Sequence, residues 1–386
     1  MNDDAPNPAL LPAGLRDLLP PEAEVEASAV EALMAAFAAH GYQRVKPPLL
    51  EFEDSLFASS GAAVADQTFR LMDPDTHRPM GVRADMTPQV ARIAATRMLH
   101  APRPLRLSYS GQCLRVRGAS QLAPDRQIAQ AGFELIGPDS PDADAEMVLV
   151  GAEALAALGL TRLSFDLTLP QLVPTLLEEG GVPAPARAAL SRALDRKDAA
   201  AVASHGGPLA GMLASLLLAA GPADPALAAL AAAPLTPGAR ALSDRLAAVI
   251  AVIRARAPAL RLTVDPVEFR GLRYHTGVSL TVYAPGRGEE FGRGGRYVCG
   301  DAEPATGLTL YPDALLRAAP PRPPKPRVYL PPEADHARAA ALRADGYATV
   351  AGFAQGADPA QEARRLGCTH LLHNGALAPL DAKLDG

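Results

Sequence analysis

Two strand-like stretches joined by a short polar loop constrain the fold of this chain more than any other feature. "PLRLSYSGQCLRV" (104–116) and "DRQIAQAGFELIG" (125–137) are separated only by the loop at residues 118–124. Strands joined so closely can only pair antiparallel, because a parallel pair needs a crossover of a dozen or more residues. The sequence therefore predicts a long hairpin within an antiparallel sheet.

The segments around this hairpin predict helices and further strands. Helical spacing of apolar residues covers 21–40, 87–99 and 142–158. Strand patterns cover 162–167, 260–266 and 278–286, and "TFRLMD" with "PMGVRAD" predicts a short second hairpin. "YQRVKPPLLEF" predicts a strand that Pro47 and Pro48 confine to a sheet edge, a strand end or an interface.

The length and the changes of composition predict two domains. A chain of 386 residues exceeds the size at which one hydrophobic core stops growing. Residues 184–259 are almost wholly Ala/Leu-rich and helical in pattern, which indicates an insertion, and "PPRPPKP" (320–326) predicts a stiff linker. We therefore expect a larger domain at 1–319 and a small α/β domain at 327–386, where strand and helix patterns alternate.

Charge and cysteine content bear on several classes of protein. The net charge of −5 does not indicate a nucleic-acid-binding protein, although it does not exclude one. Cys113, Cys299 and Cys368 are far apart and lack CxxC spacing, so neither a disulfide framework nor a zinc site is expected. We expect no cofactor, no metal and a reducing, cytoplasmic location. The acidic start is unlike a signal peptide, and the longest apolar stretch is too short for a membrane span.

Polar residues on the predicted hairpin and before the third helix are candidate ligand contacts. Asp85 and Thr87 are two residues apart and could hold an ammonium group, although Thr87 could instead cap the helix that follows. Gln130, Gly132 and Glu134 share one strand face, where a glycine lets another group approach the sheet. The alternative for these three is a solvated sheet face.

Arginines and aromatic residues supply the other candidates. Arg115 and Arg117 share a strand face, which alone indicates surface arginines. "RGLRYHTG" places Arg270, Tyr274 and His275 in one short segment, although a strand and turn with a structural histidine would look the same. "FGRGGRYVCG" (291–300) supplies glycines and two arginines but matches no phosphate-binding or dinucleotide-binding pattern.

Taken in order, these segments resemble histidyl-tRNA synthetases, which are class II aminoacyl-tRNA synthetases. The resemblance runs from "GLRDLLP" (14–20) to "PATGL" (304–308). "GYQRVKPPLLE" is similar to motif 1, the dimer interface, and "CLRVRG" to "GFELIG" is similar to the motif 2 hairpin. "RGLRYHTG" and "GRGGRY" resemble the two histidine signatures. The implied fold is α+β, a mainly antiparallel sheet of six or seven strands flanked by helices, with a helical insertion and a shortened anticodon-binding-like domain.

The resemblance also implies a histidine pocket. The residues that match its contacts are Asp85, Thr87, Arg115, Gln130, Glu134, Arg270, Tyr274, His275 and Tyr297. The chemistry agrees, because a free amino acid needs anionic partners for its ammonium, a cation for its carboxylate and a polar partner for its side chain.

Three residues depart from the synthetase pattern, and two of these departures bear on ATP. Ala314 stands where motif 3 has an arginine for the triphosphate, and Arg117 stands where motif 2 has a glutamate. His275 replaces the second tyrosine of a Tyr-Tyr pair. Because adenylation depends on prepositioned charge, histidine recognition is expected to persist without ATP chemistry.

This profile resembles the regulatory subunits of ATP phosphoribosyltransferase, which are paralogues of the synthetase. The resemblance implies a homodimer within a hetero-oligomer, which activates a short catalytic subunit and conveys feedback inhibition by histidine in the first step of histidine biosynthesis. No tRNA, membrane or catalysis of its own is then expected. A divergent synthetase stays open, since Arg270 matches its catalytic arginine, as does a histidine-sensing paralogue in another pathway.

Overall fold

The computed structural model describes residues 9–118, 124–268, 274–284, 289–320, 324–353 and 358–380. Its helices up to residue 320 are α1 (Glu22–Ala39), α2 (Glu53–Leu56), α3 (Thr87–Thr96), α4 (Pro141–Ala157), α5 (Leu172–Glu179), α6 (Ala184–Asp195), α7 (Ala199–His205), α8 (Ala210–Leu218), α9 (Ala223–Ala232), α10 (Pro237–Arg256) and α11 (Pro312–Ala318). Two 3₁₀ helices span Ser59–Gln67 and Gly207–Leu209. The strands are β1 (Gln43–Arg44), β2 (Leu50–Phe52), β3 (Arg70–Met72), β4 (Pro79–Val82), β5 (Leu105–Leu114), β6 (Gln127–Ile136), β7 (Ser164–Thr168), β8 (Gly221–Pro222), β9 (Arg261–Asp265), β10 (His275–Tyr283), β11 (Glu290–Cys299) and β12 (Glu303–Leu310).

The predicted long hairpin is confirmed, and it belongs to a large sheet. Over the described part of the chain the strand order is β1-β5-β6-β12-β11-β10-β7-β9-β8. Only the pairs β1–β5 and β7–β9 are parallel, so the sheet is mainly antiparallel, as expected. It is wider than the predicted six or seven strands because the two-residue strands β1 and β8 extend its two edges.

One face of this sheet is covered by α1 and α4. Phe133 of β6 packs between Phe37 and Tyr42, at ring-centroid distances of 4.9 and 4.8 Å. Ser140 caps the N-terminus of α4. Its side chain accepts a hydrogen bond from the amide of Ala143, and a proline follows as the first residue of the helix. This face is the main apolar core.

The predicted insertion is helical, and it extends that same core. It comprises α6 to α10 with the short strand β8, and α10 packs on α4 and α5. Leu230 of α9 and Leu246 of α10 are fully buried in one cluster with Phe133. The second predicted hairpin is also confirmed, since β3 pairs antiparallel with β4, and β2 completes a separate three-stranded sheet.

The chain separates after Pro320 into a second compact unit, Pro321–Gly386. Its elements are β13 (Arg327–Leu330), α12 (His336–Ala344), β14 (Ala348–Ala351), α13 (Pro359–Arg365), β15 (His370–His373) and β16 (Ala376–Pro379). The sheet order is β14-β13-β15-β16, with β13 parallel to both neighbours. The alternating strands and helices expected here are present, and β16 is an addition to them.

Candidate functional site

The face of the large sheet opposite α1 and α4 carries a group of buried polar side chains. Gln130 and Glu134 of β6 lie on this face, as does Tyr297 of β11. All three are at most 2% exposed. The solvated-face alternative for Gln130 and Glu134 is therefore wrong, because α3 and the segment before it cover this part of the sheet.

Glu134 is the centre of this group. The hydroxyl of Tyr109 donates to its Oε1 at 3.1 Å, and the hydroxyl of Tyr297 donates to its Oε2 at 3.0 Å. Burial raises the pKa of Glu134 to about 8, although hydrogen bonds from Tyr297, Thr87 and Tyr109 oppose this rise. Burial also raises the pKa values of both tyrosines, so they remain neutral donors.

Asp85 is joined to the strand by Gln130. The side-chain amide of Gln130 donates to Asp85 Oδ2 at 3.1 Å, while its Oε1 accepts from the backbone amide of Met86 at 3.0 Å. Arg115 lies 4.0 Å from the same Asp85 oxygen and donates through Nε to the carbonyl of Ala84. A carboxylate and a guanidinium thus lie side by side at the partly open edge of the group.

The capping alternative for Thr87 is wrong. Thr87 is the first residue of α3, and its backbone amide donates to Asp85 Oδ1 at 2.8 Å. The side-chain acceptor at the start of this helix is therefore Asp85 and not Thr87. The Thr87 hydroxyl lies instead 3.1 Å from the hydroxyl of Tyr109 and 3.5 Å from that of Thr309. It is therefore part of the buried network around Glu134.

Tyr274 and His275, at the start of β10, border the network. Their rings are 4.4 Å apart, and Tyr274 meets Tyr297 edge-on at 6.2 Å. His275 is buried, which lowers its pKa to about 3, so the ring is neutral. Its Nδ1 has no hydrogen-bond partner within the described ranges, so the satisfied structural histidine of the alternative interpretation is not what the structure contains. Arg270 lies outside the described residues.

Sequence reasoning missed Tyr109, Thr309 and Gly307. The hydroxyl of Thr309 lies 2.7 Å from that of Tyr109. A Cβ added to Gly307 would overlap Oε2 of Glu134, so this glycine makes room for the carboxylate. The signal for Tyr109 was Gly132, because a Cβ there would lie 2.6 Å from the Tyr109 hydroxyl. The group that occupies the space over Gly132 is therefore the phenol ring of Tyr109.

The positions that would bind ATP in a synthetase hold residues in different environments here. Ala314 is buried in α11, and Arg317 of the same helix pairs with Glu289. Arg117 is exposed. No group of three metal-ligating side chains occurs in the part of the chain that is described. Nor does that part contain a helix long and apolar enough to cross a membrane.

Comparison with solved structures defines the class of fold. A crystal structure titled an ATP phosphoribosyltransferase regulatory subunit/histidyl-tRNA synthetase from Bacillus halodurans C superposes with a TM-score of 0.77 at 23% identity, over 92% of this chain and 96% of that one. Histidyl-tRNA synthetase from Nostoc sp. PCC 7120 gives a TM-score of 0.77 at 17% identity, over 94% and 90%. The fold is thus that of class II aminoacyl-tRNA synthetases.

Sequence comparison narrows this class to a family. The histidyl-tRNA synthetase family model matches residues 14–315. The ATP phosphoribosyltransferase regulatory subunit of Gluconobacter oxydans is 56% identical over 98% of this chain and 99% of its own length. The protein of that name from Paramagnetospirillum magneticum is 54% identical over 96% and 97%. The chain belongs to the family of ATP phosphoribosyltransferase regulatory subunits.

Proposed function

We propose that this chain is a non-catalytic subunit that binds free histidine and conveys it as a feedback signal to a short ATP phosphoribosyltransferase catalytic subunit, in the first step of histidine biosynthesis. The observation that carries the proposal is the buried network around Glu134. It brings together carboxyl groups, hydroxyls and a guanidinium. A zwitterionic amino acid needs acceptors for its ammonium and a cation for its carboxylate. A ligand that is bound and not consumed can still shift an equilibrium between two states of an assembly.

The proposed ligand contacts are those predicted from the sequence, with two additions. Asp85 and Glu134 would face the ammonium and Arg115 the carboxylate. Thr87, Gln130, Tyr274, His275 and Tyr297 would complete the pocket, with Arg270 as a further contact. Tyr109 and Thr309 are added because their hydroxyls bond within the same network.

Calorimetry with L-histidine tests the pocket. Replacing Glu134 with alanine removes one partner of a buried charged hydrogen bond, which typically costs about 2–5 kcal/mol, so the affinity should fall at least about 30-fold. Glu146→Gln is the matched control, since Glu146 pairs with Arg106 on the α4 side of the sheet. Equal affinities of wild type and Glu134→Ala would place the ligand elsewhere.

Co-expression tests the partner. We expect the short catalytic subunit to copurify with this chain, and phosphoribosyl-ATP formation to require it and to fall when histidine is added. Because position 314 holds alanine and Arg317 of the same helix pairs with Glu289, histidine-dependent pyrophosphate exchange into ATP should be undetectable. A catalytic subunit that is fully active alone and equally sensitive to histidine would contradict the proposal, and a synthetase-like exchange rate would favour the enzyme alternative.

A homodimer is part of this proposal. Leu50, Phe52, Leu71, Met80 and Val82 lie on one face of the three-stranded sheet, whereas Gly81, which alternates with them, faces Leu56 and Thr68. Leu50 and Leu71 are each 38% exposed. An apolar sheet face of this kind is typical of a protein interface. Leu71→Glu should shift the sedimentation coefficient from dimer to monomer, whereas Leu218→Glu in the insertion should not.

Location and the second unit complete the proposal. Cys113, Cys299 and Cys368 are free and buried, which supports a reducing compartment, and we infer the cytoplasm. The domain limits 1–319, 320–326 and 327–386 remain those predicted from the sequence. We take the last of these domains to be a shortened relative of the anticodon-binding domain.

A further inference from the structure

The pairing of β10 with β11 is interrupted beside the pocket. His275 pairs with Tyr297, but the next pair is Ser279 with Gly295. Residues 276–278 of β10 therefore stand opposite one residue of β11, Arg296. An irregularity of this kind bends a strand and changes the direction of neighbouring side chains, and here it immediately follows His275.

Arg296 fills the space behind this bulge. Its side chain points away from Tyr297, toward α4, and the residue is 4% exposed. A Cβ on Gly277 would lie 3.1 Å from Cδ and 3.2 Å from Cβ of Arg296, so the glycine of "YHTG" rests on the aliphatic part of the arginine. The other anchor of the bulge is Gln171, whose side-chain amide donates to the carbonyl of His275 at 2.9 Å.

A buried carboxylate holds the guanidinium in place. Arg296 Nε donates to Oδ1 of Asp144 at 2.8 Å, and its terminal nitrogen donates to the carbonyl of Pro138 at 3.2 Å. Asp144, in the first turn of α4, has no exposed surface. Its other oxygen accepts from Arg245 of α10 at 3.0 Å. The charges thus join a pocket strand, the core helix and the insertion.

We propose that Arg296 is a positioning residue for the ligand pocket: fixed by Asp144, it holds the bulge of β10 and so sets where Tyr274 and His275 stand. The same arginine also fixes β11 at the residue before Tyr297. The proposal rests on the proposed function only for the identity of the ligand, because the geometry of the bulge is a property of the chain alone.

Hydrogen exchange of the full-length chain, with and without L-histidine, tests this role. In Arg296→Met, the amides of residues 274–283 should exchange at least about tenfold faster than in wild type, because the bulge loses its anchor. Arg296→Lys keeps the aliphatic part and the charge and should restore most of the protection. Gly277→Ala leaves the ion pair intact but presses on the arginine stem, and it should loosen the same amides. This variant keeps the test decisive if Arg296→Met does not fold.

Arg106→Met is the matched control, because it breaks an arginine–carboxylate pair that is also anchored on α4. It should leave exchange at 274–283 unchanged. Histidine affinity should fall about tenfold in Arg296→Met and Gly277→Ala, because Tyr274 and His275 would no longer be held in the binding geometry. Exchange at 274–283 that stays at the wild-type rate in both variants, or rises only as much as in Arg106→Met, would overturn the proposal. If wild type binds no histidine, the ligand is wrong, and the exchange data still decide the positioning role.

Discussion

The two faces of the large sheet are built by alternate residues of the same strands, and they differ in almost every physical respect. Phe133 and Glu134 are neighbours on β6. Phe133 lies among the rings of Phe37 and Tyr42, while Glu134 accepts hydrogen bonds from Tyr109 and Tyr297. Both are essentially without exposed surface. Equal burial therefore does not mean an equal contribution to stability.

The difference lies in what burial does to each group. Removing an apolar ring from water stabilises the fold roughly in proportion to its area. Removing a carboxyl group from water is unfavourable unless its hydrogen bonds are replaced. Burial raises the pKa of Glu134 even though hydrogen bonds from Tyr297, Thr87 and Tyr109 oppose the rise. A buried carboxyl group that is kept although its burial is unfavourable indicates a role other than stability.

The largest expected effect separates the two faces directly. Phe133→Ala should lower the free energy of unfolding by about 3–5 kcal/mol, because it leaves a cavity between α1 and the sheet. At or below about pH 4.5, where the Glu134 carboxyl group is neutral in both the folded and the unfolded state, Glu134→Gln should change it by no more than about 1 kcal/mol, since most of the shape and one acceptor remain. Urea unfolding measures both. Histidine affinity should show the opposite order, and a Phe133→Ala protein that folds but loses histidine as completely as Glu134→Gln would break the comparison.

A pair of glycines tests the same contrast with identical chemistry. Gly307→Ala would place a methyl group on the carboxylate of Glu134 and 2.6 Å from the carbonyl oxygen of Phe133. Neither can move freely, so a loss of about 1–3 kcal/mol and of histidine binding is expected. Gly151→Ala on α4 would overlap only the end of the Leu308 side chain and no backbone atom of another element. A gain in helix propensity of about 1 kcal/mol should roughly offset that overlap. Thermal unfolding that ranks the two variants in the reverse order would contradict this.

The third effect is a dependence of stability on pH. The carboxyl group of Glu134 has a pKa of about 8 in the fold against the usual 4.5. Between these values the folded state binds more protons than the unfolded state, so stability from this group falls as the pH rises and is constant outside the window. The ligand-free wild type should therefore lose stability relative to Glu134→Gln from pH 4.5 to about 8. His275 is present in both proteins, so its titration cancels. A difference that is flat across this window would show that Glu134 is ionised throughout.

The apolar face was the easier one to predict. Alternation in residues 104–116 and 125–137 predicted β5 and β6 correctly, since one side of each must meet a hydrophobic layer. β11 escaped prediction because "FGRGGRYVCG" is glycine-rich, which usually indicates a turn. In the fold, Gly294 lies against Met147 and the neighbouring strand, and Gly295 against Ser279 and His275. Glycine is there because other atoms come close.

The polar face could be predicted only by resemblance. Spacing placed Gln130 and Glu134 on one side of a strand, but left a solvated face equally possible. The position of Tyr109 over Gly132 follows from the register of β5 with β6, which pairs these two residues. Register depends on the turn geometry as well as on the hydrophobic pattern, so alternation alone did not fix this pair.

The shared core of the insertion limits how this protein can vary. Leu230 and Leu246 belong to the same buried cluster as Phe133. The helical insertion is therefore not an independent unit that could be removed without exposing the core. Deleting residues 184–259 would remove α10, which packs on α4 and α5. The apolar sides of α4 and α5 would then be exposed to solvent. A graft from a distant relative would succeed only if it brought side chains of matching volume to that seam. The surface of the insertion is free to diversify, while its inner side must change together with the sheet that it covers.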